Sequence, residues 1–106
     1  MDIQLKRGLL DVCVLSAIKN EDSYGYKIIK DMKPFLTLSE STLYTILKRL
    51  EASRMLTVKT VQHDGRLRKY YRITDEGRQR IAAFKADWQE VMSICAFIMK
   101  EDGSHE

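Results

Sequence analysis

The 106-residue sequence holds one proline, two cysteines, two histidines, one tryptophan and five glycines. So few breakers leave no low-complexity or linker-like stretch, and there is no internal repeat. Cys13 and Cys95 lie far apart, each within an apolar run. That pattern excludes a secreted disulfide framework and predicts reduced, inert core thiols in the cytoplasm. No CxxC or HExxH pair occurs, and His63 and His105 fall in a predicted turn and in the tail. Metal ligands are too few and too scattered for a zinc site, and no cofactor is expected. The longest apolar runs fall far short of the ~20 residues that a membrane-spanning helix needs. Asp2, Lys6 and Arg7 near the start do not make a signal-peptide pattern, so the expectation is a chain neither exported nor membrane-spanning. There is no histidine beside a nucleophile, no paired carboxylates in a catalytic motif and no glycine-rich phosphate loop, which argues against an enzyme.

What is present is enough for one core. A chain of this length folds as a single domain, and 44% hydrophobic with 31% charged residues is a folded composition. Net charge is only +3, but it is unevenly placed. Residues 1 to 40 carry six basic and six acidic groups, residues 41 to 80 carry ten and four, and residues 81 to 106 carry two and five. A basic middle third suits a polyanion, because neutralising phosphates releases condensed counterions. A solvated charged face would look the same at this level.

The stretch LKRGLLDVCVLSAI from Leu5 to Ile18 is apolar on nearly all sides after Gly8, which predicts a helix covered on more than one face. Asn20 to Ser23 offers capping residues for a second helix with Tyr24, Ile28, Ile29 and Met32 as its inner stripe. Pro34 ends that helix near Met32 and makes residues 33 to 38 a connection. Gly25 in this helix loses about 1 kcal/mol against alanine, which implies close contact with another element. Ser39 reads as the N-cap of a third helix with Leu43, Ile46, Leu47 and Leu50 inward. Its opposite face carries Ser41, Thr42, Tyr44, Thr45 and Lys48, chemically fit for a DNA groove: hydroxyls for phosphates or base edges, a lysine for the backbone.

After Arg54 the period changes to two, with Leu56, Val58, Tyr71 and Ile73 alternating against Thr57, Lys59, Arg68, Tyr70 and Arg72. Asp64-Gly65 at the centre predicts a β-hairpin. Arg66, Arg68, Lys69 and Arg72 make its tip and descending strand cationic. Thr74 then caps a last helix, Asp75 and Glu76 complement its dipole, and it is expected to run to about Lys100. Ile81, Phe84, Trp88, Val91, Cys95 and Ile98 step by 3 and 4 along it as a heptad seam, and Met92, Ile94, Phe97 and Met99 add a second apolar set. That is more apolar surface than one small domain covers, so a homodimer through this helix is expected. A helix folded back over its own core is the alternative. The expected division is residues 1–74 as DNA-binding unit, 75–100 as dimerisation helix and 101–106 as a frayed tail.

The order helix, helix, helix, hairpin, long helix is that of a winged helix-turn-helix domain: an α+β fold, mostly α, with a dimerising helix appended. Tyr24-Gly25-Tyr26, the STLYTILKRLE run from Ser41 to Glu51, and GRLRKYYRIT from Gly65 to Thr74 with Glu76-Gly77 behind it together resemble the PadR family of bacterial transcriptional regulators. The resemblance spans residues 5 to 100, and its single C-terminal helix is similar to the short branch of that family, which includes multidrug-responsive repressors. It implies that the third helix enters the major groove, placing Ser41, Thr42, Tyr44, Thr45 and Lys48 on DNA. Arg66, Arg68 and Lys69 would lie on the adjacent backbone or minor groove. Many members have proline where this chain has Thr45, which touches the operator contacts rather than the fold. Tyr24, Tyr26 and Tyr71 read as packing residues. The resemblance further implies an effector cavity where first and last helices meet between subunits. Leu5, Val12, Trp88, Val91 and Met92 are placed to line it, although Trp88 could equally anchor the dimer alone.

The function these readings predict is a homodimeric, sequence-specific DNA-binding regulator, a repressor released by a small planar or cationic effector. The alternative is a winged-helix module that docks on a protein without specific DNA binding.

Overall fold

Leucine and isoleucine at helical spacing and a two-residue turn signal resolve into four helices and one hairpin. In a computed structural model of the chain, which describes residues 1–101, these are α1 (Ile3–Ala17), α2 (Gly25–Met32), α3 (Glu40–Ala52), β1 (Leu56–His63), β2 (Arg66–Ile73) and α4 (Asp75–Ile98). This is the winged helix-turn-helix, mostly helical, with the hairpin as its wing. The frayed tail expected over 101–106 lies, beyond Glu101, outside the described residues.

The core is the meeting point of one stripe from each element. Val12, Val14, Leu15 and Ile18 come from α1 and its C-cap, Ile28 and Met32 from α2, and Leu43, Ile46, Leu47 and Leu50 from α3. Leu56, Tyr71 and Ile73 come from the wing base, and Ile81 from α4. The predicted inner face of α3 is therefore the buried one. Coverage of α1 is narrower than its composition implies: only its C-terminal half is buried, while Ile3 and Leu5 are exposed. An apolar run states how much surface needs covering, and this chain covers about half of it.

Ser39 caps α3, its Oγ accepting from the Thr42 amide at 3.2 Å. The α1–α2 loop behaves differently from its sequence signal. Ser23 caps nothing; it is buried and pairs with Tyr71 as an isolated antiparallel bridge, with N–H to carbonyl distances of 3.2 and 2.7 Å. Tyr24 is the N-cap of α2 and makes no side-chain capping bond. Helix α4 starts as expected, the Thr74 hydroxyl accepting from the Gly77 amide at 3.1 Å, and ends at Ile98. Gly77 must be glycine for space, since a Cβ there would run into the Met55 carbonyl oxygen.

The wing pairs in simple register, Leu56 opposite Ile73 through His63 opposite Arg66. His63 closes β1 rather than sitting in the turn. Asp64 and Gly65 both have positive φ, 50° and 77°, as a two-residue type I′ turn demands. Parity then sends Tyr71 and Ile73 into the core and Arg68, Tyr70 and Arg72 to the opposite face. The molecule extends 67 × 26 × 22 Å because α4, about 36 Å long, outruns the head it is rooted in. Among the described residues no helix is long and apolar enough to cross a membrane.

Candidate nucleic-acid interface

The polar face of α3 and the wing border one open cleft of about 1270 Å³. Tyr44 and Lys48 reach it from α3, and Arg66, Arg68 and Lys69 from β2. Five of the eight residues that the sequence assigned to DNA thus border one space. Ser41, Thr42 and Thr45 are exposed on the same helix but outside the cleft lining. Their hydroxyls have local partners: Ser39 Oγ donates to Thr42 Oγ1 at 2.9 Å and lies 3.3 Å from Ser41 Oγ, and Thr45 Oγ1 donates to the Ser41 carbonyl at 2.9 Å. These bonds hold the hydroxyls of Ser41 and Thr42 in place at the first turn of α3, where helix N–H groups favour an anion, and that of Thr45 one turn on.

Close approach between α2 and α3 sets the floor of the cleft. A Cβ on Gly25 would lie 2.7 Å from the Tyr44 hydroxyl, so glycine at the start of α2 is what lets the Tyr44 ring lie across it. The contact inferred from Gly25 exists, although Gly25 opens the helix instead of interrupting it. Tyr26 departs from the packing role expected of it: it is 71% exposed and lines the cleft. The spacing held the clue, because Tyr26 is two residues from Ile28 and hence about 200° around the helix from the buried stripe. Leu67, an exposed apolar side chain between two arginines on the wing, is a second cleft residue that sequence reasoning passed over. Glu51 and Asp64 bring acidic groups to the same lining, so the cleft is basic in balance rather than throughout.

Ion pairs brace the frame. Arg72 forks onto Asp22 with three bonds of 3.0 to 3.2 Å, and this hydrogen bonding raises the arginine's pKa. Lys27 pairs with Asp31 at 2.7 Å, one turn along α2. Asp11 of α1 binds Arg49 of α3, joining the third helix to the first. Arg68 is half-buried against aromatic rings, its guanidinium 4.2 Å from the Tyr24 centroid.

The residues expected at a dimer seam divide. Ile81 is buried in the chain's own core, so it is not free for a partner, and Phe84 is half-buried against that core. Trp88 stacks on Phe84 at 5.8 Å between centroids. Trp88, Val91, Cys95 and Ile98 are exposed, as are Met92, Ile94, Phe97 and Met99. Cys95 is therefore no core thiol in this chain, whereas Cys13 is half-buried and burial raises its pKa. Of the residues assigned to an effector, Leu5, Trp88, Val91 and Met92 are exposed on α1 and α4. Val12 is buried and lines a separate groove of about 400 Å³ between α1, α2 and α4, walled by Met32, Leu36, Ile81 and Phe84.

Comparisons with known proteins agree with this architecture. The family model described as the transcriptional regulator PadR-like family matches residues 14–83. An uncharacterized protein of Lysinibacillus sphaericus is 33% identical over 99 residues, covering 89% of this chain and 91% of that one. The X-ray structure of a PadR-like transcription factor from Bacteroides fragilis is 31% identical and superposes with a TM-score of 0.82 over 90% of this chain and 94% of its own. Bacillus subtilis PadR, solved in complex with operator DNA, shares the fold at 22% identity and a TM-score of 0.66, with 92% of this chain matching 51% of that longer one. With the family model covering most of the chain and near relatives matching nearly end to end, this chain belongs to the PadR-like family of transcriptional regulators.

Proposed function

We propose that the chain works in the cytoplasm as a homodimeric, sequence-specific DNA-binding repressor. The observation that carries this reading is the cleft in which Tyr44 and Lys48 of α3 face Arg66, Arg68 and Lys69 of the wing. A helix presenting hydroxyls, a phenol and a lysine suits the major groove, and a cationic hairpin beside it suits the flanking backbone. Membership of a family of transcriptional regulators supports it, and a protein of the same fold has been solved on operator DNA.

Two copies follow from the bare half of α4. From Trp88 to Met99 that helix exposes seven large apolar side chains, Phe97 at 79% and Met99 at 77% among them. Monomeric soluble proteins rarely leave such a continuous stripe in water. Trp88, Val91, Cys95 and Ile98 meeting their counterparts would cover it and place two heads on one face of a duplex. A two-fold dimer then reads a palindrome whose half-sites are about one helical turn apart. In this arrangement residues 1–74 act as the reading head and 75–100 as the arm. A planar or cationic effector would enter beside Trp88, Val91, Met92, Leu5 and Val12 and change the relation of the heads.

The test is binding of the purified protein to duplex DNA from its own upstream region, by fluorescence anisotropy across a salt series. Affinity should fall steeply with salt and prefer a palindromic site, and Lys48→Ala or Arg66→Ala should each reduce the log–log salt slope by roughly two, about one per subunit of the dimer. Binding no better than background at low salt would overturn the reading in favour of a protein-docking module.

A further inference from the structure

Three consecutive residues of the α1–α2 loop meet the wing in antiparallel order. Asp22 holds Arg72 in a fork, Ser23 pairs its backbone with Tyr71, and Tyr24 lies against Tyr70 and Arg68. The first two contacts fasten the strand; the third does something different. Tyr24 and Tyr70 meet edge to face at 5.6 Å with planes 70° apart. The Arg68 guanidinium lies over the Tyr24 ring at 4.2 Å, and its Nη1 makes a long donation of 3.5 Å to the Tyr70 hydroxyl. Arg68, Tyr70 and Arg72 share one face of β2, so the strand's period delivers all three side chains to the loop.

We propose that Tyr24 is a positioning residue for DNA: its ring carries the Arg68 guanidinium, so that this charge stands already ordered at the mouth of the α3–wing cleft. The proposal rests on the DNA-binding reading of that cleft. The physical reason is what the ring leaves free: a guanidinium held over an aromatic face keeps its charge, and the N–H donors other than the one given to Tyr70 remain for phosphate oxygens. A free arginine would have to surrender its rotamers on binding; a stacked one has already done so. Among the described residues Arg66 and Lys69, the other β2 cations at the cleft, lie over no aromatic ring, which singles out Arg68 as the pre-ordered wing cation of the cleft. Tyr24 is also the N-cap of α2, next to the Gly25 that admits the Tyr44 ring. One short segment therefore sets the place of a wing cation and of a phenol on α3 together.

The experiment is a double-mutant cycle on the full chain with its upstream duplex, using Tyr24→Leu, Arg68→Ala and the pair, with Tyr24→Phe as the ring-retaining control. Tyr24→Leu should weaken binding roughly fivefold, and Tyr24→Phe should leave it unchanged. The double variant should bind about as Arg68→Ala does alone, and the salt slope should fall by up to about two, one per subunit, in both Tyr24→Leu and Arg68→Ala. If Tyr24→Leu binds as wild type, or if the two losses simply add, the proposal is wrong. A DNA-free measurement separates this from failure of the function reading: in the NMR spectrum of the unbound protein the Arg68 side-chain protons should be shifted upfield by the Tyr24 ring and return on Tyr24→Leu. Absence of that shift overturns the proposal whether or not DNA binds; its presence in a protein that ignores DNA overturns the function reading and the DNA role with it, leaving the stack as packing alone.

Discussion

The two halves of α4 carry apolar residues at the same three-and-four spacing and meet opposite fates. In the first half Gly77 lies against the Met55 carbonyl, Ile81 is 6% exposed and Phe84 packs on the core. In the second half every residue from Trp88 onward is exposed. The difference lies in the surroundings: α1 and the wing base stand beside the first half, and the second half extends past both. Helical period thus measures how apolar one face is and leaves open which surface will cover it. Head and arm are two regions of one chain, the first holding the buried core and the second bare.

The largest effect that can break this contrast is on folding. Leu47→Ala removes a side chain buried to 1% at the centre of the head, and should cost about 2–5 kcal/mol in denaturant unfolding. Phe97→Ala, measured in a monomeric background, should change stability by no more than about 0.5 kcal/mol, because that ring touches little within its own chain. Equal losses from the two would mean that the arm is folded back onto the head after all.

Association comes next. Phe97→Asp places a charge in the exposed stripe and should weaken dimerisation by at least about tenfold, read by sedimentation velocity at micromolar protein, while far-ultraviolet circular dichroism stays that of a folded chain. If wild type and variant sediment alike as monomers, the arm has some other partner.

The cysteines report on the same division. Cys13 is half-buried and burial raises its pKa, so little of it is thiolate at neutral pH; Cys95 is exposed on the arm. In the Phe97→Asp monomer Cys95 should react with a thiol reagent several-fold faster than Cys13. In wild type the Cys95 rate should fall as protein concentration rises and the arms pair. A Cys95 rate that ignores concentration would place it outside the interface.

These contrasts also say why some of the molecule could be read from its sequence and some could not. Local chemistry was legible wherever it decides the outcome alone: Ser39 and Thr74 as caps, Asp64-Gly65 as the turn, and Leu43, Ile46, Leu47 and Leu50 as the inner face of α3. Readings went astray where a distant surface decides. Ser23 looks like a cap and is a bridge because the wing arrives beside it; Cys95 looks like core and is bare because none of the described elements covers it. Tyr26 could have been placed by angle, but the repeated tyrosines drew one interpretation for both. Ile81 belongs to the same heptad seam as Ile98, and only the position of the wing base tells them apart.

The smallest effect concerns how helices end in head and arm. After α3, Arg54 adopts φ 62° while its N–H bonds the Glu51 carbonyl at 2.9 Å and the Met55 N–H bonds the Leu50 carbonyl at 2.9 Å. This is a Schellman closure with arginine at the left-handed position, where glycine is usual and a Cβ costs roughly 1 kcal/mol. The Arg54 carbonyl also accepts from the Thr74 hydroxyl at 2.7 Å, so the turn ties the end of α3 to the cap of α4 and cannot relax to another conformation. Arm helix α4 ends with Met99 at φ −80°, where no such strain is stored. Arg54→Gly keeps both backbone bonds and relieves the Cβ, and part of that gain is offset by the freedom glycine adds to the unfolded chain. The net expectation is a gain of about 0.5 kcal/mol, or roughly 2–4 °C in Tm, with dimerisation unchanged. A lower Tm would mean that the Arg54 side chain holds the head together in its own right, and the conformational account of this turn would have to be given up.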